Sequence, residues 1–113
     1  MDEGKTTIAP DVLITIARLT TLNVPGVSRL CNDPPGVRQL FMRNFQQGVL
    51  VEVKQDAVFA DIHVILKKDV NLREVSRNIQ GQVSRAIAEM VGMQVGGVNI
   101  HIEDIDYTVE NEA

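Results

Sequence analysis

The sequence predicts an α+β protein. Its architecture is a two-layer α/β sandwich in the order β-α-β-β-β-α-β, one mixed sheet with two helices on one face. Three observations carry this expectation. Two stretches, one opening at Pro10 and one at Asn71, repeat apolar residues every three or four positions. The stretches 48–54, 58–66 and 94–106 alternate apolar and polar residues, the period of a half-buried strand. Clusters of Pro, Gly, Asn and Asp punctuate the chain between them. A sheet with one clean apolar face needs a covering layer, and two amphipathic helices supply it.

Lys5 to Ile8 reads as a short first strand. Ala9-Pro10-Asp11 opens the first helix, because Pro suits a first turn that has no use for its missing N–H, and Asp11 complements the helix dipole. Val12, Ile16 and Leu19 fall at helical spacing, with Leu13 and Ala17 widening the stripe, and Pro25 stops the helix near Leu22. Gly26 to Asn32 is the second strand. Asn32-Asp33-Pro34-Pro35-Gly36 breaks it, and Val37 to Gln47 is irregular, with one or two helical turns.

Gly48 opens the third strand, with Val49, Val51 and Val53 on one face and Leu50, Glu52 and Lys54 on the other. Gln55-Asp56-Ala57 is short enough for a hairpin. The fourth strand, Val58 to Leu66, puts Ala60, Ile62, Val64 and Leu66 on one face and Phe59, Asp61, His63 and Ile65 on the other. Asn71 with Glu74 three residues on is an N-terminal capping signal. Leu72, Val75, Ile79, Val83, Ala86, Ile87 and Met90 then form an apolar helical stripe that Gly92 ends. Gln94 to Asp106 is the last strand, with Val98, Ile100 and Ile102 alternating against Asn99, His101 and Glu103.

The 113 residues make one domain, residues 1–106, with a short acidic tail, 107–113. The formal net charge of -4 argues against a basic nucleic-acid binder. Five of the 15 acids lie from Glu103 onward, however, and residues 1–102 carry 11 bases against 10 acids, so the body is nearly neutral. Three Phe, one Tyr and no Trp leave few platforms for stacking bases. The acidic start, Met1-Asp2-Glu3, lacks the apolar core of a signal peptide, and no apolar run approaches the ~20 residues of a membrane span. A cytoplasmic protein is expected, peripheral at the membrane through a partner at most. The lone Cys31 ends the second strand as a small apolar residue and has no cysteine to pair with.

The search for chemistry is largely negative. His63 and His101 lie on the polar phases of their strands with Asp61 and Glu103 nearby, and the four would cluster if those strands were neighbours. Polar residues on an open sheet face are the ordinary outcome, so no metal site is expected. Glu103, Asp104 and Asp106 read as a wetted strand end rather than paired catalytic carboxylates. The glycines at 92, 96 and 97 follow a helix and precede a strand, the reverse of a phosphate loop. Arg73, Arg77 and Arg85 are the one concentrated basic set. They are the candidate phosphate contacts of a small KH-like nucleic-acid module, although the GxxG loop of such a domain is missing. Arg38, Leu40, Phe41, Arg43 and Phe45 mix apolar and basic residues in one loop-like segment, a candidate partner-binding patch.

Ile8-Ala9-Pro10-Asp11-Val12-Leu13, Ile16-Ala17 and Asn23-Val24-Pro25-Gly26-Val27 resemble the opening of the alkaline shock protein family, the Gls-type envelope stress response proteins of bacteria. Gly48 to Val53, Asp61 to Val64, Ile79-Gln80 with Val83, Glu89 to Met93, Val95, and Val98 to Ile102 continue the resemblance, which spans roughly residues 4–106. Thr20-Thr21-Leu22-Asn23 departs from the family's small-residue and glutamate run, and Asp33-Pro34-Pro35 stiffens the loop that follows. The resemblance implies a non-enzymatic stress-response scaffold without cofactors or catalytic residues. It would be held near the membrane by a protein partner, in some relatives a small membrane-anchored one, with self-association and no membrane span of its own.

Overall fold

The computed structural model describes residues 4–32 and 45–108, and of Phe45 the backbone alone. Helix α1 spans Pro10–Leu22, and strand β1 spans Val27–Leu30. Strands β2 (Phe45–Gln46), β3 (Val49–Lys54) and β4 (Ala57–Lys67) follow, then helix α2 (Leu72–Val91) and strand β5 (Gln94–Asp106). The α+β sandwich with one mixed sheet under two helices is as the sequence predicts.

The chain folds around β4. Strand β5 runs parallel to it from the Ala57–Gln94 pair to the Lys67–Asp106 pair and so takes one whole edge. Parallel neighbours need a long crossover, which α2 provides. The opposite edge is divided end to end. Antiparallel β3 lies against Ala57 to Ile62, and antiparallel β1 lies against Val64 to Leu66. Backbone bonds close the junction, from His63 N to Gly48 O and from Cys31 N to His63 O, each 2.8 Å. Strand β2 adds outside β3 through a two-residue turn, and Gln55-Asp56, both at positive φ, make the predicted β3–β4 hairpin.

One apolar face of the sheet, led by Val49, Val51, Val58, Ala60, Ile62, Val64 and Leu66, packs against both helices in a continuous core. From α2 come Val75, Ile79, Val83 and Ile87, one residue per turn. Asn71 Oδ1 accepts the Glu74 N–H at 3.0 Å to start that helix, and Gly92 in a left-handed conformation ends it.

Three expectations are corrected. Lys5 to Ile8 is not a strand: with one apolar residue in four it has no face to bury, and Ile8 packs against the core edge instead. Part of the irregular segment is strand, because Phe45–Gln46 pairs with Leu50 and Val49. The buried stripe of α1 is also rotated from the expected one. Leu13, Ile14, Ile16, Ala17 and Thr21 face the core, while Val12 and Leu19 are exposed. A helix apolar around most of its circumference satisfies the helical period in more than one way, and the sheet selects among them. In α2 the end residues Leu72 and Met90 likewise lie outside the core.

Candidate functional site

The sheet face away from the helices carries the polar phases of β4 and β5. Parallel register sets His63 directly beside His101 and Asp61 beside Asn99. Paired residues on adjacent strands project to the same side, so the two imidazoles stack, with centroids 4.4 Å apart and planes 14° from parallel. Each ring also meets a carboxylate: His63 Nδ1 lies 2.7 Å from Glu103 Oε2, and His101 Nε2 lies 2.9 Å from Asp61 Oδ1. Asn99 Nδ2 donates to the same Asp61 oxygen at 3.2 Å. A carboxylate can only accept, which assigns a ring proton to Nδ1 of His63 and Nε2 of His101. Glu103 reaches across because a bulge in β5 falls between the residues paired with Val64 and Ile65.

The four residues therefore do gather, as strand adjacency would require. Their donors point along hydrogen bonds to one another rather than toward a common point. Among the described residues, no group of three or more His, Cys, Asp or Glu side chains is placed to hold a metal ion. His63 is only 9% exposed, so the cluster is a half-buried polar lock between β4 and β5.

Asp106 corrects the reading of a merely wetted strand end. It is buried, and its Oδ2 accepts from Ser28 Oγ and Arg29 Nη1, both at 2.7 Å. Its Oδ1 accepts from the Thr108 hydroxyl at 2.6 Å and the Thr108 N–H at 2.9 Å. The Thr108 hydroxyl, then Ser28, the Thr108 N–H and Arg29, hold the carboxyl well below the usual aspartate range. The contacts join β1 to the end of β5 across β4. A depressed folded-state pKa contributes stability that is present above the unfolded pKa of ~3.9 and is lost as pH falls below it. Asp106→Asn should therefore lower the melting temperature at neutral pH, and its gap from the parent should narrow below pH ~4. Thermal melts of both proteins across that range check this, and a gap independent of pH would sink it.

Of the candidate partner-binding patch, Arg38, Leu40, Phe41 and Arg43 lie outside the described residues, while Phe45 pairs by its backbone with Leu50 in the β2–β3 hairpin. Both flanks of that segment border one cleft of about 260 Å³ lined by Arg18, Leu22, Arg29, Leu30, Asn32 and Gln47. Sequence reasoning missed it, since its lining comes from three places in the chain. Arg73, Arg77 and Arg85 are exposed on α2. At ~100° per residue, Arg73 and Arg85 lie about 120° apart around the helix, so the three do not form one straight row. No described helix is long and apolar enough to cross a membrane.

The model of the alkaline shock protein 23 family, described as having a "cell envelope-related function", matches residues 1–107. The chain belongs to this alkaline shock protein family. Its relatives include Spy1535 of Streptococcus pyogenes, 36% identical, with 90% of this chain and 79% of that protein covered. YqhY of Bacillus subtilis is 28% identical, covering 92% of this chain and 78% of that protein. Both are described as uncharacterized proteins. Among solved structures, a MamM CTD variant in its zinc form superposes with a TM-score of 0.53 at 9% identity, covering 89% of this chain and 91% of that one. A second MamM CTD variant gives a TM-score of 0.54 at 10% identity, covering 87% of this chain and all of that one. At such identity the likeness speaks for the fold alone. The resemblance read from the sequence is thus the family found, and this alkaline shock family chain shares in its cell envelope-related function.

Proposed function

We propose that this alkaline shock family chain is a non-enzymatic interaction module of the envelope stress response. It works on the cytoplasmic side of the membrane, held there by a protein partner and associating with copies of itself. The observation that carries this is the match of an envelope-related family model over residues 1–107. The sheet face away from the helices supports it, because its histidines and carboxylates engage one another as a polar lock between β4 and β5. The patch of Arg38, Leu40, Phe41, Arg43 and Phe45 is the partner contact, with the neighbouring cleft of Arg18, Arg29, Leu22 and Leu30 as the adjoining surface.

The test is a cross-linked pull-down from native membranes with the parent chain and with Phe41→Glu and Phe45→Glu. The parent should retain a membrane protein that both variants lose, with thermal melts unchanged. Retention by both variants removes the loop from the reading. The competing nucleic-acid reading through Arg73, Arg77 and Arg85 makes a different forecast: gel-shift binding that weakens steeply with salt, by counterion release. Such binding, with no membrane partner, would overturn the proposal.

A further inference from the structure

The rotation of the buried stripe of α1 leaves on the surface apolar residues that the helical pattern assigns to the core. Val12 is 45% exposed, Leu19 49% and Leu22 41%, and Met90 of α2, beside them, is 71% exposed. Val12, Thr15, Leu19 and Leu22 follow one another at three- and four-residue steps, so they share one side of the helix. Asp11, Val12, Thr15, Ile16 and Met90 line a groove of about 300 Å³ at the N-terminal half of that side. Leu19 stands at the C-terminal half.

We propose that this face binds a second copy of the same chain, α1 against α1, antiparallel, about a two-fold axis near Thr15. The inference rests on the self-association in the reading above and names its surface. The midpoint of Val12 and Leu19 falls just after Thr15, so a two-fold axis there sets Leu19 of each copy opposite Val12 of the other. Each Leu19 then enters the partner copy's groove beside Ile16 and Met90, a knob and a hole presented by the same patch.

Charge selects this arrangement over a parallel one. Asp11 and Arg18 flank the stripe on one side, seven residues and therefore about 10.5 Å apart along the helix, too far to pair within one chain. A two-fold axis perpendicular to the helices keeps that flank on the same side in both copies and reverses the direction. Asp11 of each copy thereby meets Arg18 of the other, giving two opposite-charge pairs per dimer. In a parallel pair the two-fold axis runs along the helices and carries that flank to the opposite side of the seam, so neither opposite-charge pair would form. Asp11 Oδ1 already accepts from Gln46 Nε2 at 2.8 Å, which fixes the carboxylate at the start of the stripe.

The experiment is sedimentation equilibrium of the full chain from micromolar to millimolar concentration, with variants whose fold is verified by thermal melts. The parent should dimerise. Leu19→Lys and Val12→Lys should each weaken dimerisation at least about tenfold, the scale of one large aliphatic side chain removed from an interface. Asp11→Arg and Arg18→Asp should each weaken it, and the double variant, which restores opposite charges, should recover most of the loss. A parent that stays monomeric overturns the self-association reading and this inference with it. A parent that dimerises with Leu19→Lys and Val12→Lys unaffected overturns the α1 interface alone. Failure of the charge swap to recover, with the apolar variants weakened, overturns the antiparallel arrangement.

Discussion

Gly48→Ala is expected to be among the most damaging single-methyl changes in this protein. Gly48 sits at φ +87°, in the turn between β2 and β3, at the point where β1 and β3 abut on one edge of β4. A Cβ there would lie 2.9 Å from the Cys31 carbonyl oxygen, 3.1 Å from the His63 carbonyl oxygen and 3.2 Å from the Cys31 nitrogen. All three are backbone atoms, so none can swing aside as a flexible side chain would. Two of them, Cys31 N and His63 O, are bonded to each other, and His63 N donates to Gly48 O beside them. Relief of the crowding must stretch these bonds. Gly92 is the internal control, since its φ is +77° but an added Cβ there meets nothing within 4 Å. Gly92→Ala should cost only the left-handed backbone penalty, roughly 1–2 kcal/mol. Gly48→Ala should add about 1–3 kcal/mol of overpacking to that. Urea unfolding of the two variants decides it, and equal losses would show that the three-segment junction yields easily.

That junction also marks where sequence reading stops. Local signals located α2 well, because capping at Asn71, a stripe through Val75, Ile79, Val83 and Ile87, and a stop at Gly92 all agree. They located β3 and β4 for the same reason, since the alternation of each strand fits only one face inward. They could not show that β1 and β3 share one edge of β4, because that depends on pairing between residues far apart in the chain. The clustering of Asp61, His63, His101 and Glu103 was legible only as a conditional on strand adjacency, and the parallel register supplied the condition. Asp106 reads from the sequence as one more acid of a wetted strand end, since nothing local distinguishes a carboxylate that will meet Ser28 and Arg29 from one that meets water. In α1 the uniform apolarity concealed which side is inward, and the exposed Val12 and Leu19 are the part that bears on association.

Ile62→Ala should destabilise the protein by about 2–5 kcal/mol, and Ile100→Ala by clearly less, nearer ~1–2 kcal/mol. The two residues are register neighbours, with Ile62 on the central strand and Ile100 on the edge strand. Ile62 is completely buried between Val49 on one side and Ile100 on the other, under the helices, whereas Ile100 is only partly covered. The cost of truncation follows the cavity left behind, and a cavity beneath two packed helices cannot collapse as one at a sheet edge can. Chemical denaturation measures both, and a larger loss at Ile100 would mean that the helical layer is centred over β5 rather than β4. The magnitude also constrains how function is probed. Domains of this size hold only about 5–15 kcal/mol in total, so Ile62→Ala removes a large fraction of the margin. A lost interaction in such a variant reports unfolding as readily as contact. Leu19→Lys changes a residue already half exposed, where placing a charge has little stability to remove, so any loss of association it produces belongs to the surface itself.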